Sequence, residues 1–434
     1  MNGPRRAGRP AITHHRNVPD RLGVLGDPTF RSFFVGQSVS FFGTQVTALA
    51  LPLTAVIVLD ATAAEMGLLT AIGYVPFLLV GLLAGVWVDR MRRRRILIAT
   101  DLISAAAVAV VPVAAIFGVL RIELLYAVAF VLGFVGVIAP VAYQSFVPTL
   151  AGRDRLVEAN ARLEASNSVA AIVGPGLGGL LVQWLTAPVA LIIDAISYVV
   201  SAGFLASIRV TEPPPIPDAQ RASIRGQIGE GLRLVGAMSV LRALVSCGAI
   251  HNFFSRMIDA LFVLYMVDGL GLGPAGIGIV FAAGGPGALL GAFVVGRLGG
   301  TLGVGPTIVA AQFLTGVARL LIPLAGGPAW LASAVLVASE FLLGFVRIVF
   351  NVTQVSLRVA ITPDRLHGRV NATMRFVMWS VTPFGALAGG LLAATVLGLR
   401  GTIALAGVGI LLATLPLLAP GLRTIRTMPS GADA

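Results

Sequence analysis

Apolar residues along this chain come in long, nearly unbroken runs. Reading between charges and Gly/Pro breaks, they cover roughly 32–59, 66–88, 96–117, 124–147, 166–186 and 189–208, and then 243–267, 275–296, 305–325, 329–352, 370–396 and 402–419. Each approaches or exceeds the ~20 residues that carry a helix across a bilayer. The pattern predicts an all-α integral membrane protein with twelve transmembrane helices in two groups of six. Between the groups, residues 209–242 are polar and hold Pro213, Pro214, Pro215 and Pro217, so they read as a linker. The expected organisation is a tail over 1–31, a six-helix bundle over 32–208, the linker over 209–242, a second bundle over 243–419 and a tail over 420–434. The first 30 residues are basic but lack a continuous apolar run, unlike a cleavable signal peptide.

The two halves are related to each other. Asp154-Arg155-Leu156 recurs as Asp364-Arg365-Leu366, and Gln144 has its counterpart in Gln354, both 210 residues on. Asn160-Ala161 recurs as Asn371-Ala372, and Gly178-Gly179-Leu180-Leu181 as Gly389-Gly390-Leu391-Leu392, both 211 residues on. Four matches at nearly one offset predict two pseudo-symmetric six-helix bundles facing each other, with a substrate path between them.

Composition confirms the bilayer as solvent and removes whole classes of chemistry. Apolar residues make up 57% of the chain and charged ones 12%, with a mean hydropathy of +0.93, whereas a soluble domain carries about 25% charged residues. All 31 basic residues are arginine. Without lysine there is no GxxxxGK[ST] phosphate loop and no lysine Schiff base. A single cysteine, Cys247, excludes an internal disulfide and a multi-cysteine zinc site. No HExxH, no GxSxG and no metal-spaced carboxylates occur, which leaves a membrane-embedded enzyme as a weak alternative and implies no metal or cofactor. The net charge of +12 is explained by placement. With the N-terminus inside, 25 of 31 arginines fall on the inner face and two, Arg121 and Arg400, on the outer one. This positive-inside bias predicts both termini in the cytoplasm and an inner-membrane location, and it removes nucleic acid as a partner.

After the second run comes Gly85-Val86-Trp87-Val88-Asp89-Arg90-Met91-Arg92-Arg93-Arg94-Arg95. A glycine there permits close helix approach, and an acid at a helix end can pair with arginines or a neighbouring helix N-terminus. The stretch resembles the GxxxDRxGRR loop of the major facilitator superfamily, with Arg92 in place of the second glycine. The resemblance implies a conformational latch carried by Asp89 and Arg90, with Gly85, Arg93 and Arg94 matching the pattern. Asp101, near the inner end of the third run, reads as part of the same latch. Gly174-Pro175-Gly176-Leu177-Gly178-Gly179 in the fifth run resembles the GPxxGG core associated with proton-coupled exporters of that superfamily. Such a segment can bend at Pro175 and pack tightly at Gly174, Gly178 and Gly179; a plain glycine packing seam is the simpler reading. The stretches 144–160 and 363–370 are similar to the branch that contains macrolide-efflux proteins and the enterobactin exporter.

Ionisable groups inside a span are functional candidates because burying them is costly. The seventh run carries Asn252, Ser255, Arg256 and Asp259 on one face, beside His251; the tenth carries Glu340, Arg347, Asn351 and Gln354 on one face. The first run adds Gln37, Thr44 and Gln45. In the superfamily the first, fourth, seventh and tenth helices line the cavity, so the resemblance implies that Gln37, Thr44, Gln45, Asn252, Arg256, Arg347 and Asn351 meet cargo. Asp259 and Glu340 are proton-site candidates, with Asp194 in the sixth run as a further one. The alternatives are a static Arg256–Asp259 pair and a fixed pair of Glu340 with Arg347 or Arg319. The expectation is a monomeric secondary transporter that exports an amphipathic small molecule by proton antiport through alternating access, with a proton gradient as energy source. A siderophore or lipid exporter and a nutrient symporter are the alternatives within the fold.

Overall fold

Polar groups of the backbone must be satisfied within the segment inside a bilayer, so each apolar run closes into a helix. The computed structural model describes residues 23–81, 83–212, 224–363 and 366–428. The tail before residue 23, the prolines of the linker and the Asp364-Arg365 pair lie outside the described residues. Twelve helices are long and apolar enough to cross a membrane. The first six are α1 (Pro28–Val58), α2 (Ala63–Val80), α3 (Arg93–Ile116), α4 (Ile122–Ala151), α5 (Arg153–Leu185) and α6 (Ala187–Ser207). The second six are α7 (Ser239–Gly269), α8 (Pro274–Leu302), α9 (Val304–Leu324), α10 (Ala329–Ile361), α11 (His367–Ala393) and α12 (Gly398–Leu418).

Local chemistry sets several boundaries. Asp27 caps α1 by accepting from the Thr29 and Phe30 amides at 2.7 and 3.4 Å. Thr62 and Glu65 form a reciprocal capping box at the start of α2. Hydropathy misplaces other ends. Both α5 and α10 run 33 residues, about 50 Å at helical rise, because the helix continues through Leu156–Glu164 and Val355–Ile361, segments too polar or too late to count as bilayer core. The second apolar run is not one helix: α2 ends at Val80 and a short helix resumes over Ala84–Asp89. Within the linker, Ile224–Ala237 is an amphipathic helix that packs on α7 and α11.

Within each bundle α1 packs on α5 and α6, α4 on α2 and α3, α7 on α11 and α12, and α10 on α8 and α9. The face bearing the 90–95 loop and both described chain ends is the arginine-rich face. At the opposite half a single hydrophobic core crosses both bundles: Leu53, Leu125 and Leu191 join Leu261, Ile277, Leu336 and Ile403. At the arginine-rich half the core divides. Phe30, Phe33 and Phe146 belong to one cluster, and Leu241, Leu357 and Leu417 to another. The bundles are thus fused at one end and separately packed at the other.

Two helix pairs make the junction, α2 with α11 and α5 with α8. A Cβ on Gly390 would stand 2.8 Å from Gly67 Cα and 2.7 Å from the Ala63 carbonyl oxygen. A Cβ on Gly179 would stand 2.9 Å from Gly278 Cα and 2.6 Å from the Pro274 carbonyl oxygen. Gly390 and Gly179, Gly278 and Gly67, and Pro274 and Ala63 are each 211 positions apart. The same repeat therefore builds both seams, and only glycine permits that backbone approach.

Candidate functional site

Four charged side chains meet in the second bundle. Arg256 Nη1 lies 2.9 Å from Asp259 Oδ2, one turn along α7. Arg319 of α9 reaches the other carboxylate oxygen at 3.1 Å and extends its second nitrogen to Glu340 Oε1 of α10 at 3.9 Å. Arg319 thereby bridges two acids from two different helices, and it, rather than Arg347, is the partner of Glu340. Seven residues separate Glu340 from Arg347, about 10 Å along the axis. The network also leaves its own bundle: Arg256 donates to the Tyr74 hydroxyl of α2 at 2.8 Å, with its guanidinium 4.9 Å from the ring centroid. The Nε groups of Arg256 and Arg319 are buried with no hydrogen-bond partner. Two donors are thus held ready beside two carboxylates.

The neighbours of this network are structural. Asn252 donates to the Met378 carbonyl at 2.7 Å and ties α7 to α11. His251 sits between Ser255 at 3.2 Å and Gln312 at 3.3 Å, as a hydrogen-bonded histidine in a helix contact. Arg347 and Asn351 are exposed on α10, and Gln354 donates to Asn351 on the same helix at 3.3 Å. Tyr74 stacks against Trp379, with centroids 6.3 Å apart, and Arg375 stands over Phe77 at 5.7 Å. These pairs continue the α2–α11 seam toward the arginine-rich face.

Among the polar residues of α1, Gln37 turns into its own bundle. Gln37 is buried and donates to Ser201 of α6 at 3.4 Å, and the Thr44 hydroxyl shares a hydrogen bond with Tyr198 of α6 at 3.2 Å. Positions 37, 40, 44 and 47 share one helical face; Gln37, Ser40 and Thr47 are buried on it, while Thr44 stays exposed. Gln45 instead packs under Gly174 of α5, where a Cβ would strike its side chain. Asp101 also departs from expectation. It lies two turns into α3, about 12 Å from the helix start, and faces Ser201 and Asp194 of α6 rather than the arginine loop. Asp194 is fully buried, and its Oδ1 accepts from Ser197 at 2.9 Å.

At the arginine loop, Asp89 lies 3.7 Å from Arg93. The start of α3 is capped from elsewhere: Glu212, at the beginning of the linker, accepts from the Arg93 and Arg94 amides at 2.6 and 3.2 Å. Arg94 returns the contact, its Nε donating to the Leu205 carbonyl at 2.8 Å and its Nη2 to Ala206. The arginines thus clamp the start of α3 to the end of α6. Gly85 is not a close-approach site here, because a Cβ on it would meet nothing within 4 Å; it lies where the two bundles pack separately. In the fifth helix Gly174 and Gly178 face α1, while Gly179 and the Pro175 carbonyl face α8. The motif serves one seam inside the bundle and one between bundles. Tyr74 and Glu212 carry no sequence signal of their own, one being an aromatic in a span and the other an acid in a polar linker. Arg319 does, as a charge too deep in an apolar run.

Comparison with known proteins agrees with this architecture. The model of the transmembrane secretion effector family matches residues 21–431. The multidrug efflux pump Tap of Mycolicibacterium fortuitum is 30% identical over 392 residues, 88% of this chain and 93% of that protein. Macrolide efflux protein A of Streptococcus pyogenes is 24% identical over 288 residues, 66% of this chain and 71% of that protein. Among solved structures, the nucleoside transporter NupG superposes with a TM-score of 0.72 at 13% identity, covering 90% of this chain and 99% of that one. A bacterial homologue of the iron transporter ferroportin superposes with a TM-score of 0.70 at 16% identity, covering 90% and 98%. The chain belongs to the transmembrane secretion effector family of the major facilitator superfamily and is a multi-pass membrane transporter.

Proposed function

We propose that this transporter exports amphipathic small molecules from the cytoplasm in exchange for protons by alternating access, with Asp259 and Glu340 as the groups that couple proton to movement. The activities for which the relatives are named, multidrug and macrolide efflux, support the direction and the kind of cargo. The arginine bias supports placing the arginine-rich face and both termini in the cytoplasm. With that orientation the fused core closes the outer side and the divided cores open the inner side.

The observation that carries the coupling is the bridge from Arg319 to both acids, together with the hydrogen bond from Arg256 to Tyr74. Glu340 holds Arg319 by the longer contact, 3.9 Å against 3.1 Å for Asp259. It is the acid that can exchange its arginine for a proton at least cost. Once Glu340 is neutral, Arg319 and Arg256 are left with Asp259 alone, and a cationic excess faces the other bundle. Rocking of α2 against α7 and α11 breaks the Tyr74 contact and re-pairs the charges, so protonation state and bundle position become linked.

The test is transport in sealed vesicles with an imposed inward proton gradient, using macrolides and a panel of amphipathic amines. Glu340→Gln and Asp259→Asn are expected to retain cargo binding and to lose gradient-driven flux. Full gradient-driven flux in both variants overturns the coupling assignment, and indifference of wild type to any proton gradient overturns antiport.

A further inference from the structure

The first bundle contains a second polar cluster that differs in kind from the charged network of the second. Asp194 of α6 is fully buried, Asp101 of α3 lies close enough to feel its charge, and each has one carboxylate oxygen, Oδ2, buried without a partner. The groups around them from α1, α3 and α6 are hydroxyls, an amide and a phenol. Among the described residues no arginine or histidine acts on either acid. On the face of α3 that carries Asp101, Arg94 lies two turns away and is bound to the Leu205 and Ala206 carbonyls. Tyr198 is the remaining titratable group, and its hydroxyl is engaged by Thr44.

Two further oxygens are aimed into the cluster and are unspent. Thr47 is 6% exposed and faces Asp194, and Ser104 is 1% exposed and faces Tyr198, yet neither hydroxyl closes a hydrogen bond. A buried polar atom left unpaired is costly, and the two carboxylate oxygens have no positive partner among the described residues. Gly43 of α1 supplies the room. A Cβ there would run into Asp194 Oδ1 and Ser197 Oγ, so the α1 backbone itself forms the wall of the cluster.

We propose that Asp101 and Asp194 form a binding site for one small hard monovalent cation, a proton or Na⁺, inside the first bundle. All available donors are oxygen, which suits hard cations and excludes soft ones. A cation here neutralises one of two like charges in a place with no arginine to do so, and it draws the Thr47 and Ser104 oxygens into coordination or hydrogen bonding. The site joins α1 and α6 to α3, so its occupancy sets how tightly α1 is held inside its bundle. This goes beyond the reading of Asp259 and Glu340 and stands or falls without it, because those acids lie in the other bundle and are left unaltered in the test.

The test uses the purified full-length chain and two probes, protons and Na⁺. Infrared difference spectra between acid and alkaline buffers report protonated carboxyl groups, and retention of radioactive sodium reports a bound metal cation. A protonated carboxyl signal that persists in sodium-rich buffer and is lost in both Asp101→Asn and Asp194→Asn identifies the occupant as a proton. One retained sodium per chain, lost in both variants, identifies it as Na⁺. Should either acid variant fail to fold, Ser104→Ala and Thr47→Val keep both acids and are expected to weaken the same signal. Spectra unchanged in all four variants, with no sodium retained by wild type, overturn the site.

Discussion

The two bundles bury charge in opposite ways. In the second, two acids are met by two arginines, and the group touches the other bundle through Tyr74. In the first, two acids are met by none, and the group is sealed among α1, α3 and α6. A balanced network at a moving interface is held by pairing, and losing one member strands the others. An unbalanced cluster inside a rigid bundle is relieved by taking up a cation, and neutralising a member removes a liability. Paired charges can exchange partners across an interface, whereas unpaired buried oxygens can take up a small ion.

The comparison breaks most visibly at Arg319. Arg319→Ala leaves Asp259 with one arginine and Glu340 with none, and removing one partner of a buried pair costs about 3–5 kcal/mol. Thermal unfolding in detergent is expected to fall sharply, with transport abolished. Arg319→Ala combined with Glu340→Gln should recover part of the stability without the gradient-driven flux. Equal stability of Arg319→Ala and wild type would mean that the network carries no structural weight and that the contrast between bundles is false.

The seams test whether the bundles are joined as described. A side chain at Gly390 would force apart Gly67 and Ala63, and such overpacking costs about 1–3 kcal/mol. Gly390→Val is expected to open the arginine-poor face. This can be read by thiol labelling of a cysteine placed on that face, after Cys247, the sole cysteine, is changed to Ala. Gly179→Val should do the same at the symmetric seam. Labelling unchanged in both would show that this closure does not depend on glycine.

Much of this was legible in the sequence and some was not, for physical reasons. Twelve spans follow from hydropathy alone, and the glycines Gly178, Gly179, Gly389 and Gly390 stand out as a repeat. Their partners Gly67 and Gly278 obey the same 211-residue offset but look like ordinary small residues until the helices are brought together. Gln37 and Asp101 mark polar helix faces correctly, but a face can be covered by a sister helix as easily as it can line a cavity. Spacing along one helix cannot say which. Arg319 is conspicuous in a sequence, whereas the pairing of Glu340 with Arg319 rather than Arg347 depends on the packing of α9 on α10.

The first-bundle cluster makes a smaller prediction of opposite sense. Asp194→Asn keeps the shape and the Ser197 contact while removing a charge that has no arginine, so stability is expected to stay within about 1 kcal/mol of wild type or to rise. Asp259→Asn, by contrast, strands Arg256 and Arg319 and is expected to cost more. A larger loss for Asp194→Asn than for Asp259→Asn would reverse the contrast.

The smallest effect belongs to the contact that connects the charged network to the opposite bundle. Tyr74→Phe removes the hydroxyl that accepts from Arg256 at 2.8 Å but keeps the ring 4.9 Å beneath the guanidinium. Interhelical hydrogen bonds in membranes average about 0.6 kcal/mol, so folding stability should barely move. If the proposed coupling holds, the bond joins α2 to α7 in only one of two bundle arrangements, so transport should respond more than stability does, by a shift of about threefold in their ratio at that energy. Tyr74→Leu removes the cation–π contact as well and should shift it further. If Tyr74→Phe altered stability and left transport kinetics unchanged, the contact would be a static brace, and the network would be confined to its own bundle like the acids of the first.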